Sequence, residues 1–72
     1  MEEKIIELMR EVFGIDDVLA GLSQKNCDRW DSLRHLTLAS EIEDAFDIEL
    51  EPEEIAVMTD FAKVVEMVKS KL

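Results

Sequence analysis

The chain has 72 residues, with 8 basic and 18 acidic side chains for a formal net charge of −10, and 47% of its residues are hydrophobic. A chain this short is expected to form one domain, 1–72, burying roughly 60% of the surface its unfolded form exposes, which argues against a deep catalytic cleft; its negative charge argues against nucleic acid or an anionic membrane surface as partners. The longest strongly apolar run, Ile55-Ala56-Val57-Met58, falls far short of the ~20 residues of a membrane span, and Met1-Glu2-Glu3-Lys4 does not read as a basic-then-apolar signal, so a soluble, cytoplasmic monomer is expected.

With Cys27 alone, no intramolecular disulfide can form, so stability must come from packed helices. Between Glu2 and Phe13, the residues Ile5, Leu8, Met9, Val12 and Phe13 form the stripe of an amphipathic helix, and Gly14 supplies a left-handed stop. Residues 15–31 have no clean period but carry Ile15, Val18, Leu19, Leu22 and Trp30, which predicts an ordered loop with a short helical turn after Asp16-Asp17. A second helix starts at Asp31-Ser32, both good N-cap types, and runs to Phe46 or Asp47. Leu38, Ile42, Ala45 and Phe46 are its expected core stripe, while Leu33 and Leu36 lie on another flank, free to face something else. Phe46, Ile48 and Leu50 alternate with acids, but a lone strand has no partner, so the segment reads as an extended connection. Pro52 opens a short helix to Val57. Thr59 or Asp60 caps the last helix, whose apolar positions are Phe61, Val64, Val65, Val68 and Leu72, with Lys63, Lys69 and Lys71 biased toward its C-terminal half. The expected fold is all-α: three main helices, one short helix and a long loop between the first and second.

Ser32 admits two readings. Its hydroxyl caps the second helix, as most serines at such positions do, or it stands where backbone donors and the positive end of the helix dipole stabilise an attached phosphate. The surrounding residues Trp30-Asp31-Ser32-Leu33, then Leu36, Leu38 and Ile42, then Glu43-Asp44-Ala45-Phe46-Asp47-Ile48, Pro52-Glu53-Glu54 and Met58-Thr59-Asp60-Phe61 together resemble the acyl carrier protein family over essentially the whole chain. In that family the serine of an Asp-Ser-Leu motif opens the second helix of a small acidic four-helix bundle. The resemblance implies that a phosphopantetheinyl transferase moves 4′-phosphopantetheine from coenzyme A to Ser32, and that the arm carries acyl groups as thioesters between enzymes of fatty-acid, polyketide or other specialised biosynthesis. It further implies that Asp31 helps hold the metal-assisted transferase complex, that Leu33 contacts the transferase, and that the second helix, with Leu36 beside Ser32, faces partner enzymes. It offers Leu36, Leu38, Ala39, Ile42, Ile55, Val57, Phe61 and Val65 as residues lining a space for the acyl chain, beside their ordinary role as core.

Eight acids and no base fall between Glu41 and Glu54. They are either a solvated face or a steering surface for basic docking patches on loading, condensing or transferring enzymes, and Glu43 and Asp44 match the family's acidic positions best. Arg34 and Thr37 stand where fatty-acid-synthesis members carry acids, and Arg29 stands where a glycine is often found. These departures, with Trp30 and His35, resemble carriers of specialised pathways. His35 is read as a surface residue near the prosthetic-group phosphate, or, one turn after Ser32, as the base of a Ser-His pair. Trp30 is a core anchor or a partner contact, and Cys27 an inert loop residue. Cys27 and His35 are too few for a zinc site, and the acid run lacks calcium-loop spacing, so no metal is expected. The competing functions are a peptidyl or aminoacyl carrier and a non-carrier acidic helical interaction module; an enzyme ranks behind both.

Overall fold

The computed structural model describes residues 1–72. Four helices follow in chain order: α1 (Glu2–Phe13), α2 (Ser32–Phe46), α3 (Pro52–Val57) and α4 (Phe61–Lys71). No helix is long and apolar enough to cross a membrane. α1 buries Ile5, Leu8, Met9 and Phe13 on one face and stops at Gly14, whose φ of 65° is the left-handed conformation that glycine adopts at no steric cost. α4 buries Phe61, Val64, Val65 and Val68, and Asp60 caps it by accepting the Lys63 N–H at 2.8 Å. Leu72, expected to continue that stripe, lies exposed beyond the last helical turn.

α2 packs chiefly on α1. Its buried residues are His35, Leu38, Ala39 and Ile42, with Phe46 half-buried. The stripe therefore runs 35-38-39-42-46, which leaves Ala45 on the exposed side, contrary to expectation. Asp47, at φ 54°, ends the helix in the left-handed region. The connection that follows pairs with no strand, and Leu50 anchors it in the core.

The loop forms no helical turn after Asp16-Asp17. Its ordered turn lies farther on, where Asn26 Oδ1 accepts the Ser23 N–H at 2.9 Å and Asn26 Nδ2 donates to the Gly21 carbonyl at 2.8 Å. Leu22 and Gln24 then bond the residues around the start of α4, through Phe61 N–H to Leu22 O at 2.9 Å and Gln24 N–H to Thr59 O at 3.1 Å, an isolated antiparallel bridge centred on Ser23 and Asp60. Cys27 and Trp30 enter the core beyond it, so the loop is a packed layer of the molecule, and both residues are part of one fifteen-residue apolar cluster.

α3 buries no residue completely. Three polar devices hold it. The Glu54 side chain reaches back to accept the Glu51 N–H at 2.8 Å, one half of a capping box, with Pro52 in the first turn. Glu54 Oε1 also pairs with Lys71 Nζ at 2.8 Å, tying α3 to the end of α4. His35 on α2 meets the Ile55 carbonyl at 2.7 Å.

Candidate functional site at the start of the second helix

The turn that opens α2 divides its tasks between adjacent residues. Asp31, in extended backbone, is the N-cap, and its Oδ1 accepts the Arg34 N–H at 2.8 Å. The reading of Ser32 as the cap is thereby corrected: Ser32 is the first helical residue, exposed, and its hydroxyl takes no part in the cap. A helix has four N–H groups without internal acceptors at its start. Here Asp31 Oδ1 takes that of Arg34, and the first intrahelical bond is that of the His35 N–H to the Asp31 carbonyl at 2.8 Å, which leaves the Ser32 and Leu33 N–H groups of the first turn without an acceptor at the helix mouth. The first turn contains no acid. An exposed hydroxyl, unengaged donors and the positive end of a fifteen-residue helix fit a phosphodiester on Ser32.

Trp30, immediately before the cap, is 2% exposed and settles as a core anchor, its ring centroid 4.9 Å from that of Phe13. Its indole N–H donates to His35 Nδ1 at 2.9 Å. The other ring nitrogen of His35, Nε2, lies 2.7 Å from the Ile55 carbonyl oxygen, which can only accept, so His35 is the neutral tautomer with its proton on Nε2. The expectation of a surface His35 near the phosphate is wrong: at 8% exposure it is the one buried polar residue of the molecule. The signal was its register, three residues before Leu38 and seven before Ile42, on the core face of α2. The Ser-His pair fails for the same reason, since both ring nitrogens are committed to Trp30 and Ile55.

Leu33 is 75% exposed and Leu36 59%, so Ser32 is flanked by apolar side chains facing solvent. Thr37, beside them, turns its hydroxyl back to the Leu33 carbonyl at 3.1 Å. The proposed acyl-chain residues separate into groups. Leu38, Ala39, Ile42, Phe61 and Val65 are core and Ile55 is half-buried, whereas Leu36 and Val57 are exposed and line no internal space. Val57 instead borders an open surface groove of about 370 Å³ with Lys63, Glu66, Met67 and Ser70 of α4.

The acidic run is less uniform than its composition. Glu43 is half-buried, and its Oε2 accepts the Leu50 N–H at 2.8 Å, pinning the connection against α2. Glu54 accepts the Glu51 N–H at 2.8 Å and pairs with Lys71; these two contacts, the backbone one first, hold its carboxyl below the usual carboxylate range. Asp44, Asp47, Glu49 and Glu53 remain exposed to solvent.

No family model and no curated protein sequence matches the chain. Among solved structures, the solution structure of holo acyl carrier protein from Geobacter metallireducens superposes with a TM-score of 0.85 at 24% sequence identity, over 97% of this chain and 83% of that one. The four helices and the long packed loop therefore have the acyl carrier protein fold.

Proposed function

We propose that this chain is a carrier protein, not itself an enzyme. Ser32 receives a 4′-phosphopantetheine arm from coenzyme A, and the protein delivers acyl intermediates to partner enzymes of fatty-acid, polyketide or other specialised biosynthesis. The observation that carries this reading is the division of labour at the start of α2: Asp31 supplies the cap, which leaves the Ser32 hydroxyl exposed at the helix mouth of a chain with this fold. In the loading step Ser32 Oγ attacks the pantetheine-bearing phosphorus of coenzyme A, the phosphoanhydride bond breaks, adenosine 3′,5′-bisphosphate leaves, and the serine proton passes to a base on the transferase. The arm, once bound, supplies a terminal thiol that holds cargo as a thioester. The chain's own contribution is to anchor and present it, raising the effective concentration of cargo at each partner's active site. A cytoplasmic setting belongs to the same reading, because the donor is coenzyme A and the thiol must stay reduced.

Partner contacts divide by chemistry. Asp31, Leu33 and Leu36 surround the attachment point, and the two leucines give partners an apolar contact. Asp44 and the exposed acids after it supply steering toward basic patches, with Glu43 contributing charge from a carboxylate already fixed in place. An acyl chain would enter by parting α3, the element with no fully buried residue, from the Leu38, Ala39, Ile42, Phe61 and Val65 core. The test is incubation with coenzyme A, Mg²⁺ and a broad-specificity phosphopantetheinyl transferase, followed by intact mass. Wild type is expected to gain one arm and Ser32→Ala none; a wild type that gains no mass, or a variant that gains as much, overturns the proposal.

A further inference from the structure

Arg34 is the only Lys or Arg in α2, and it folds back over the helix start. Its Nη1 lies 2.7 Å from Asp31 Oδ2, while its backbone N–H occupies Asp31 Oδ1 at 2.8 Å. The two contacts are independent. If the guanidinium swings away, the backbone cap stays, so releasing the ion pair does not undo the start of α2. Both side chains are well exposed, at 39% for Arg34 and 48% for Asp31, and an exposed pair of this kind exchanges partners at little cost.

We propose that Arg34 is the countercharge of the phosphodiester on Ser32. It neutralises Asp31 in the unmodified protein and moves its Nη contacts to the phosphodiester oxygens after modification. The proposal rests on Ser32 being the attachment site. Attachment places a permanent anion one residue from the Asp31 carboxylate, in a chain that already carries a net charge of −10. The helix mouth offers two N–H groups against that charge, and Arg34 offers the nearest full positive charge in its own helix. The guanidinium fork also matches phosphate oxygens better than an ammonium does.

The account is tested on apo and holo forms of wild type, Arg34→Ala, Arg34→Lys and Arg34→Glu. Two readouts do not depend on carrier activity: the Arg34 Nε–H and phosphodiester ³¹P resonances, and the change in the folding equilibrium constant on modification, from urea unfolding at low and high salt. The Arg34 Nε–H signal should shift on modification of the wild type. Relative to wild type, modification should lower the folding constant roughly three- to tenfold more in Arg34→Glu, less in Arg34→Ala and least in Arg34→Lys, with the differences shrinking in high salt. An Arg34 signal that is unchanged by modification, together with equal modification effects in all four proteins, overturns the role of Arg34 while leaving the carrier reading intact. Failure of wild type to accept the arm at all overturns both.

Discussion

Replacing His35 with alanine tests the joint that links the loop, α2 and α3. Two polar groups lose their partner at once. The Trp30 indole N–H, on a residue 2% exposed, has no water to replace His35 Nδ1, and a stranded buried donor costs about 1–3 kcal/mol. The Ile55 carbonyl belongs to a half-buried residue that water can reach, so its loss is nearer the net worth of a hydrogen bond, about 1 kcal/mol. With the lost packing of the ring, the sum is about 3–4 kcal/mol. A chain of 72 residues has a total stability of roughly 4–11 kcal/mol, so the variant should lose a large fraction of it and melt roughly 12 °C or more below wild type. Trp30→Phe keeps an aromatic ring against Phe13 but removes the donor. The double-mutant cycle of the two changes should show a coupling of about 1–2 kcal/mol. Urea and thermal unfolding measure the energies, and Trp30 emission reports the local change unambiguously because the chain has one tryptophan and no tyrosine. A His35→Ala loss below about 1 kcal/mol, or a coupling near zero, would refute the reasoning.

Leu33→Asp and Leu36→Asp, at exposed positions, should leave stability within about 0.5 kcal/mol of wild type while slowing arm attachment severalfold; unchanged attachment rates would remove the apolar contact from the account. Glu54 is held ionised by the Glu51 N–H and by Lys71, so its folded carboxyl titrates below its unfolded one. Its stabilising effect is complete above the unfolded value and is lost as pH falls through the folded one, so Glu54→Gln should flatten the decline in stability that urea unfolding detects as pH falls below the usual carboxylate range. Gly14→Ala should cost about 1 kcal/mol from its φ of 65° alone, since the nearest side-chain atom to the new Cβ, Arg29 Nη1, is at an ordinary 3.7 Å. Asp47→Gly, at φ 54°, should move the melting temperature the other way, by an amount equivalent to about 0.5–1 kcal/mol.

The parts of the molecule that were legible in the sequence are those governed by local rules. The first and last helices have one apolar face each, Gly14 and Asp60 punctuate them with the residues such positions favour, and the observed boundaries follow. The exposed flank of Leu33 and Leu36 was legible because those residues fall off the core period. What escaped was set by contacts between distant segments. Asp31 and Ser32 are equally good caps by type, and only the backbone path of the incoming loop decides that Asp31 takes the role. His35 looked like a surface residue because its polarity outweighed its register, and its buried position depends on donors and acceptors contributed by Trp30 and Ile55. Glu43 was one acid among eight until the chain folded back to place the Leu50 N–H beside it. The bridge between Leu22–Gln24 and Thr59–Phe61 pairs residues far apart in sequence, with no alternating pattern to announce it.

The carrier reading rests on one atom, Ser32 Oγ. Wild-type protein incubated with coenzyme A, Mg²⁺ and phosphopantetheinyl transferase should yield, on proteolysis and mass mapping, a single modified peptide with the phosphodiester localised to Ser32 and to none of Ser23, Ser40 and Ser70. An arm on another residue, or no modified peptide at all, would contradict the account.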